Sequence, residues 1–271
     1  MDISVITPSC RIDSLEMVRK CLQKQTFPRE DWEWIVVSPF VPFPPTPEAI
    51  EHQKSRARLQ GYAMVAQVPF PIRWIPDPPK RKNDFYVLNQ AYNCALRVAN
   101  GELVISYQDG IWTDPDMLQH FWDLYQTDKR SCVGAVGDQY EKLDEFSKPT
   151  IVFWADPRRT DKHGEYYEIN PIDLEFTLCS VPRQAFYDVG GLEISFDMGA
   201  AVGEKELCLR MDKAGYKFYI DQGLSYRALH HHRLTEDWDK YYDISCKLLE
   251  EYRPLIQIGE RLKLNYLKGG E

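Results

Sequence analysis

An α/β fold built on a parallel central sheet is the class that this 271-residue chain predicts, on three observations. Short apolar runs alternate with amphipathic stretches through the first half, the βαβ rhythm that builds parallel sheets. One run, Leu103-Val104-Ile105-Ser106-Tyr107, is apolar and β-forming without polar alternation, as a strand covered on both faces must be. It runs directly into the acidic turn Gln108-Asp109-Gly110, and ligands of open α/β sheets gather where strands end.

The elements follow in order. Ile3 to Thr7 reads as a core strand. Ser14 to Gln23 reads as a helix with Leu15, Val18 and Leu22 on one face, and Trp34 to Val37 as a second strand. The proline-rich stretch 38–47 excludes regular structure, and residues 48–66 have a helical pattern with basic and amide side chains outward. Ile72 to Ile75 is a third strand. Asn83 to Asn100 forms a helix with a wide apolar face through Val87, Leu88, Ala91, Ala95, Leu96 and Val98, closed by Gly101. After the strand at 103–107, Asp114 suits an N-cap and Pro115 a first helical turn. Ser131 to Val136 is a strand, 138–170 is charged and aromatic with weak periodicity, and Leu174 to Ser180 is a strand. Gly190-Gly191 mark a turn, Glu204 to Ala214 a helix capped by Gly215, and Lys217 to Ile220 a short strand. Thr235 to Tyr252 is helical, and the basic last dozen residues are expected to be mobile.

Composition excludes several classes. The hydrophobic content of 44% supports a large core, and a net charge of −8 argues against a broadly basic nucleic-acid surface. Seven scattered cysteines without a Cys-x-x-Cys pair indicate neither a disulfide framework nor a zinc cluster. With no signal peptide or membrane span in the pattern, the expectation is a soluble cytoplasmic protein.

Five segments then carry a family resemblance: Val-Ile-Thr-Pro-Ser at 5–9, Trp-Ile-Val-Val at 34–37, Leu-Asn-Gln-Ala-Tyr-Asn at 88–93, Gly-Glu-Leu-Val-Ile at 101–105, and Gly-Gly-Leu at 190–192 leading to Gly-Glu-Lys-Glu-Leu-Cys-Leu-Arg at 203–210. In this order they resemble the family 2 type of nucleotide-sugar glycosyltransferase over about residues 3–232. The resemblance implies a GT-A fold, a Rossmann-like αβα sandwich with a mixed, mostly parallel central sheet, with a nucleotide-binding half to about residue 110 and an acceptor half over 111–232. Residues 233–271 would be a C-terminal helical extension. The implied reaction is transfer of a hexosyl group from a nucleotide diphosphate donor, with a UDP-sugar favoured, to an acceptor hydroxyl, with inversion.

The resemblance also implies roles residue by residue. Where the family carries Asp-x-Asp to hold a divalent cation against the diphosphate, this chain has Gln108-Asp109-Gly110, leaving one carboxylate. A hard cation such as Mn²⁺ or Mg²⁺ takes few protein ligands, so Asp109 is the expected ligand and Gln108 a donor contact. His230 and His232, two apart on an extended segment, face the same way and are expected to complete the metal site. Glu204 aligns with the family's catalytic base, and a helix N-terminus favours its ionised form. Glu206 points elsewhere and reads as structural or substrate-binding. Pro8, Ser9 and Arg11 match the nucleotide cradle, with Lys82, Asp84 and Asn89 as further donor contacts. Ser38 replaces an acid that many members use to hold the base. Lys80, Arg81 and Lys82 offer charge for a diphosphate or an anionic acceptor, or else a solvated loop. Trp154, Tyr166, Tyr167 and Phe176 offer stacking faces, or core. The acceptor stays open among glycans, small molecules, lipid-linked species and a hydroxylated base in DNA. A catalytically inactive nucleotide-sugar-binding module and a nucleotidyltransferase are the rivals; the second expects a glycine after the first strand, which Pro8-Ser9-Cys10-Arg11 lacks.

Overall fold

The computed structural model describes residues 1–40, 60–61, 63, 65–141, 152–160, 164–229 and 237–267. Among the described residues ten strands form one sheet: β1 (Ile3–Pro8), β2 (Trp32–Val37), β3 (Ile72–Ile75), β4 (Leu103–Tyr107), β5 (Ile111–Thr113), β6 (Ser131–Tyr140), β7 (Val152–Trp154), β8 (Tyr166–Glu168), β9 (Leu178–Pro182) and β10 (Lys217–Leu229). The main path runs β3-β2-β1-β4-β9-β6-β10-β5, with β7 on β6 and β8 on β10. Its parallel pairs are β2–β3, β1–β2, β1–β4 and β6–β10, while β9 and β5 run against their neighbours. Six strands of the main path therefore share one direction, which is the mixed, mostly parallel sheet that the sequence predicts.

The αβα layering follows from the alternation of β1, β2 and β4. Val5, Trp34, Val36, Leu103 and Ile105 face one layer, with Leu15, Val18 and Leu22 of α1 (Ile12–Gln23) and, further along the sheet, Met117 and Phe121 of a later helix. Ile6, Ile35, Val37 and Val104 face the other layer, with α2 (Leu88–Val98). That later helix is α3 (Met117–Thr127); the second layer is extended by α4 (Arg183–Val189) and α5 (Gly203–Lys213). The last helix, α6 (Trp238–Gln257), packs on α5 and on the 3-10 turn at Ile194–Met198.

Several local expectations are corrected. The helix placed at Asn83 begins at Leu88, because residues 81–84 close a turn in which the Arg81 N–H donates to Asp84 Oδ2 (2.9 Å). Its first turn is capped from far along the chain: Asp197 accepts from the backbone N–H of Asn89 (2.8 Å) and Gln90 (3.1 Å). Asp114 is likewise not an N-cap. The segment Ile111–Thr113 pairs as β5, α3 starts after Asp116, and Gln25 Oε1 accepts the N–H of Leu118 (3.0 Å). Gly101 does not close the helix, whose C-cap is Ala99; it lets the chain press on β1, since a Cβ there would lie 2.4 Å from the Ile3 carbonyl carbon. The last strand spans Lys217–Leu229 rather than four residues, because a bulge between Asp221 and Ser225 carries it past the polar Asp221-Gln222-Gly223. The strand read at Leu174–Ser180 is shifted to Leu178–Pro182, with a 3-10 turn before it.

The C-terminal segment, expected mobile, is tied down through Leu267. The N–H groups of Leu264 and Tyr266 donate to Val189 O (2.9 Å) and Gly190 O (3.0 Å), and the Leu267 side chain is buried. The helix expected over 48–66 falls largely outside the described residues, of which 60, 61, 63 and 65 are helical.

Candidate active site

The carboxyl ends of β1, β3 and β4 open into a cleft of about 330 Å³. One side is Pro8 at the end of β1 and Ser9, Cys10 and Arg11 after it, with Asp77 after β3. Gln108 and Asp109 leave β4 at its centre. Asn89 and Tyr92 of α2, Tyr86 before it, Glu204 of α5 and Trp238 of α6 complete the wall. Of the residues singled out by sequence, Pro8, Ser9, Arg11, Asn89, Gln108, Asp109 and Glu204 thus meet in one place.

Asp109 is buried at 6% exposure and heavily engaged. Arg11 Nη2 donates to Oδ1 (2.6 Å) and Arg11 Nε to Oδ2 (3.1 Å), a side-on bidentate pair. Ser9 Oγ also donates to Oδ2 and accepts the Arg11 backbone N–H (3.0 Å), which folds residues 9–11 around the carboxylate.

Glu204 occupies the second position of α5, facing the cleft. Desolvation pushes its carboxyl pKa up, against the lowering effect of its own backbone N–H and of Lys205. The backbone that delivers it is unusual: Ala201 (φ 55°) and Val202 (φ 70°) are consecutive non-glycine residues in the left-handed region, strained most at β-branched Val202. Tyr86 supports this turn, its hydroxyl accepting the Ala201 N–H (2.7 Å), and burial raises the Tyr86 pKa. Glu206, two residues on, turns into the core, where it forms a fully buried pair with Arg210.

Other sequence candidates lie elsewhere. Asp84 does not line the cleft; it accepts from Arg81 Nε (3.0 Å), Arg81 Nη2 (2.7 Å) and Gln90 Nε2 (3.0 Å), which hold its pKa down against burial. Through Gln90 and Asp197 this cluster braces the α2 N-terminus, including Asn89, whose Nδ2 donates to Asp197 Oδ1 (3.0 Å). Lys80 and Lys82 are exposed and away from the cleft, and Arg81 is committed to Asp84 and Ile194 O. The Ser38 hydroxyl accepts the Phe40 N–H (3.2 Å). Of the four aromatics, Phe176 lines the cleft while Trp154, Tyr166 and Tyr167 do not. His230 and His232 lie outside the described residues.

Sequence reasoning missed Asp77, Tyr86 and Trp238. Asp77 follows β3 by two residues, so the strand-end rule that picked out Asp109 picks it out too. Desolvation raises its pKa to about 6. Trp238 reaches the cleft from the C-terminal helix, beside Phe85 stacked on Tyr241 (4.0 Å between centroids), and nothing in the local sequence signals that contact.

Among the described residues no group of three or more His, Cys, Asp or Glu is placed to hold a metal ion. Three carboxylates line the cleft, Asp77, Asp109 and Glu204, but they do not form such a group, and the two oxygens of Asp109 already take three hydrogen bonds from Arg11 and Ser9. As described, the donor set does not fit a divalent cation.

Solved structures of glycosyltransferases share this αβα fold. The mannosyltransferase PcManGT from Pyrobaculum calidifontis in complex with GDP-Man and Mn²⁺ superposes with a TM-score of 0.60 at 13% identity, covering 97% of this chain and 70% of that one. GalNAc-T7 with UDP, GalNAc and Mn²⁺ gives 0.61 at 14% identity, covering 98% of this chain and 52% of that one. S. aureus TarS 1-349 in complex with UDP gives 0.54 at 12% identity, covering 96% and 74%. No family model and no curated protein matches the chain. The chain has the GT-A fold of nucleotide-sugar glycosyltransferases. No helix among the described residues is long and apolar enough to cross a membrane.

Proposed function

We propose that the protein is a family 2-like glycosyltransferase that moves a hexosyl group from a nucleotide diphosphate donor, a UDP-sugar in the first instance, to an acceptor hydroxyl with inversion. The observation that carries this reading is one cleft holding both the Ser9, Arg11 and Asp109 cluster and the desolvated Glu204. The donor diphosphate belongs at Arg11 and Gln108, with Pro8, Ser9 and Asn89 shaping its bed, and the sugar extends toward Glu204. An acceptor hydroxyl between Glu204 and the anomeric carbon gives its proton to the carboxylate as its oxygen bonds to that carbon. The bond from carbon to the diphosphate oxygen breaks at the same time, and the diphosphate leaves with the electron pair. A carboxylate with a raised pKa is a stronger base for this step. Lys82 and Asp84 drop out of the donor contacts and act as a solvated charge and a brace of the wall.

A divalent cation, Mn²⁺ or Mg²⁺ on Asp109 with His230 and His232, is the family's way of stabilising the leaving charge. Because Arg11 and Ser9 engage Asp109, no step above is routed through a cation. The acceptor is left at the level of a hydroxyl group on a glycan, a small molecule or a modified DNA base. The test is release of nucleoside diphosphate from a panel of UDP- and GDP-sugars, with and without Mn²⁺. Turnover of at least one donor supports the reading. Tight binding without turnover favours an inactive binding module, and no binding at all removes the transferase reading.

A further inference from the structure

We infer that Arg11 stands where a metal-dependent enzyme of this fold would place its cation, bridging Asp109 to the donor diphosphate, so that nucleotide binding is independent of metal. The inference rests on the nucleotide-donor reading above.

Three features of the cleft support it. The guanidinium meets Asp109 side-on through Nε and Nη2, and Nη1 makes no hydrogen bond to the described residues. The edge carrying Nη1 is thus left for a second anion, and Arg11 is 37% exposed while Asp109 beneath it is 6% exposed. A guanidinium presents five N–H donors in a rigid fork that suits carboxylate and phosphate alike, so one side chain can serve both at once. Second, Asp109 has little left to give a metal. A carboxylate has about four lone-pair positions, and three hydrogen bonds from Arg11 and Ser9 occupy its two oxygens. A divalent ion would have to displace the guanidinium and then sit beside it, cation against cation. Third, Arg11 is the N-cap of the 12-residue α1 and provides no side-chain acceptor to its first turn. The positive end of that helix therefore adds to the same side of the cleft, where an anion is favoured. Asp109 becomes a positioning residue, which fixes the fork and keeps its charge in the cleft.

Isothermal titration with UDP and with GDP, in EDTA and in Mn²⁺, tests this on wild type, Arg11→Met, Arg11→Lys and Asp109→Asn, each checked for an unchanged melting transition. The expected result is wild-type binding of equal strength in EDTA and Mn²⁺. Arg11→Met should weaken it by roughly 10–100-fold in both, the loss of charge-assisted hydrogen bonds. Arg11→Lys, which keeps the charge without the fork, should lie between, and Asp109→Asn should lose less than Arg11→Met. Should either Arg11 variant fail to fold, Asp109→Asn still decides: retained binding in EDTA supports the bridge, abolished binding overturns it. Binding by wild type only in Mn²⁺ overturns the inference and leaves the donor reading standing, as does Arg11→Met binding like wild type. If neither nucleotide binds under either condition, the donor reading itself fails and the inference with it.

Discussion

Replacing Glu206 by alanine should unfold this protein far more readily than its surface-like sequence context implies. Glu206 and Arg210 are both 0% exposed, and Glu206 accepts from Arg210 Nε (2.9 Å) and Nη2 (2.7 Å), with Arg261 Nε a further 3.7 Å away. Without the carboxylate, Arg210 keeps only carbonyl partners, Val189 O (2.7 Å) and Gly191 O (2.8 Å), and a guanidinium cannot shed its proton. Breaking one half of a buried pair costs about 3–5 kcal/mol. At about 2–4 °C per kcal/mol for a chain near this size, the melting temperature should fall on the order of 6–20 °C. Scanning calorimetry or urea denaturation reads this directly. The double variant Glu206→Ala/Arg210→Met should recover part of the loss, because an apolar pair can replace a buried ionic one. A single variant melting within about 2 °C of wild type would refute the reasoning.

Two further outcomes follow from the cleft and the sheet. Asp77 titrates near 6 in the fold against 3.8 unfolded, so the unfolded chain loses this proton first, and stability falls as pH rises between those values and stays lowered above them. Asp77→Asn should therefore add up to about 3 kcal/mol above pH ~6 and nothing below pH ~4; a gain that does not change with pH in thermal melts contradicts this. Gly101→Ala would bring a Cβ to 2.4 Å from the Ile3 carbonyl carbon and the Ser4 nitrogen, forcing β1 and β4 apart. A loss of about 1–3 kcal/mol or more in chemical denaturation is expected, and a neutral variant would exclude the close approach.

What the sequence made legible was periodic or local. Apolar runs located β1, β2, β3, β4 and β6, and strand-end reasoning reached Asp109, because burial of a strand and exposure of its end are properties of a few consecutive residues, whereas Ser9 came from the family resemblance. The misses share a cause in distant contacts. The starts of α2 and α3 are set by Asp197 and Gln25, remote in sequence. Strands β5, β7 and β8 have three residues each, too short for a pattern. Trp238 joins the cleft only because α6 folds back over α5. Asp84 resembles a ligand until its turn with Arg81 is seen. The single carboxylate at 108–110 was visible in the sequence and the resemblance pointed to Arg11, whereas the pairing of the two was visible only in the fold.

The most direct test of the central claim, that Glu204 is the base of a nucleotide-sugar transfer in this cleft, is the pH profile of nucleoside diphosphate release for wild type and Glu204→Gln. Wild-type turnover should rise with pH through an apparent pKa above the ordinary 4.5 of a glutamate, the direction in which desolvation shifts the half-buried Glu204. Glu204→Gln should be slower by about 10²–10⁴-fold at the plateau, with donor affinity nearly unchanged. Turnover by Glu204→Gln at the wild-type rate, or with the wild-type pH profile, would contradict the assignment.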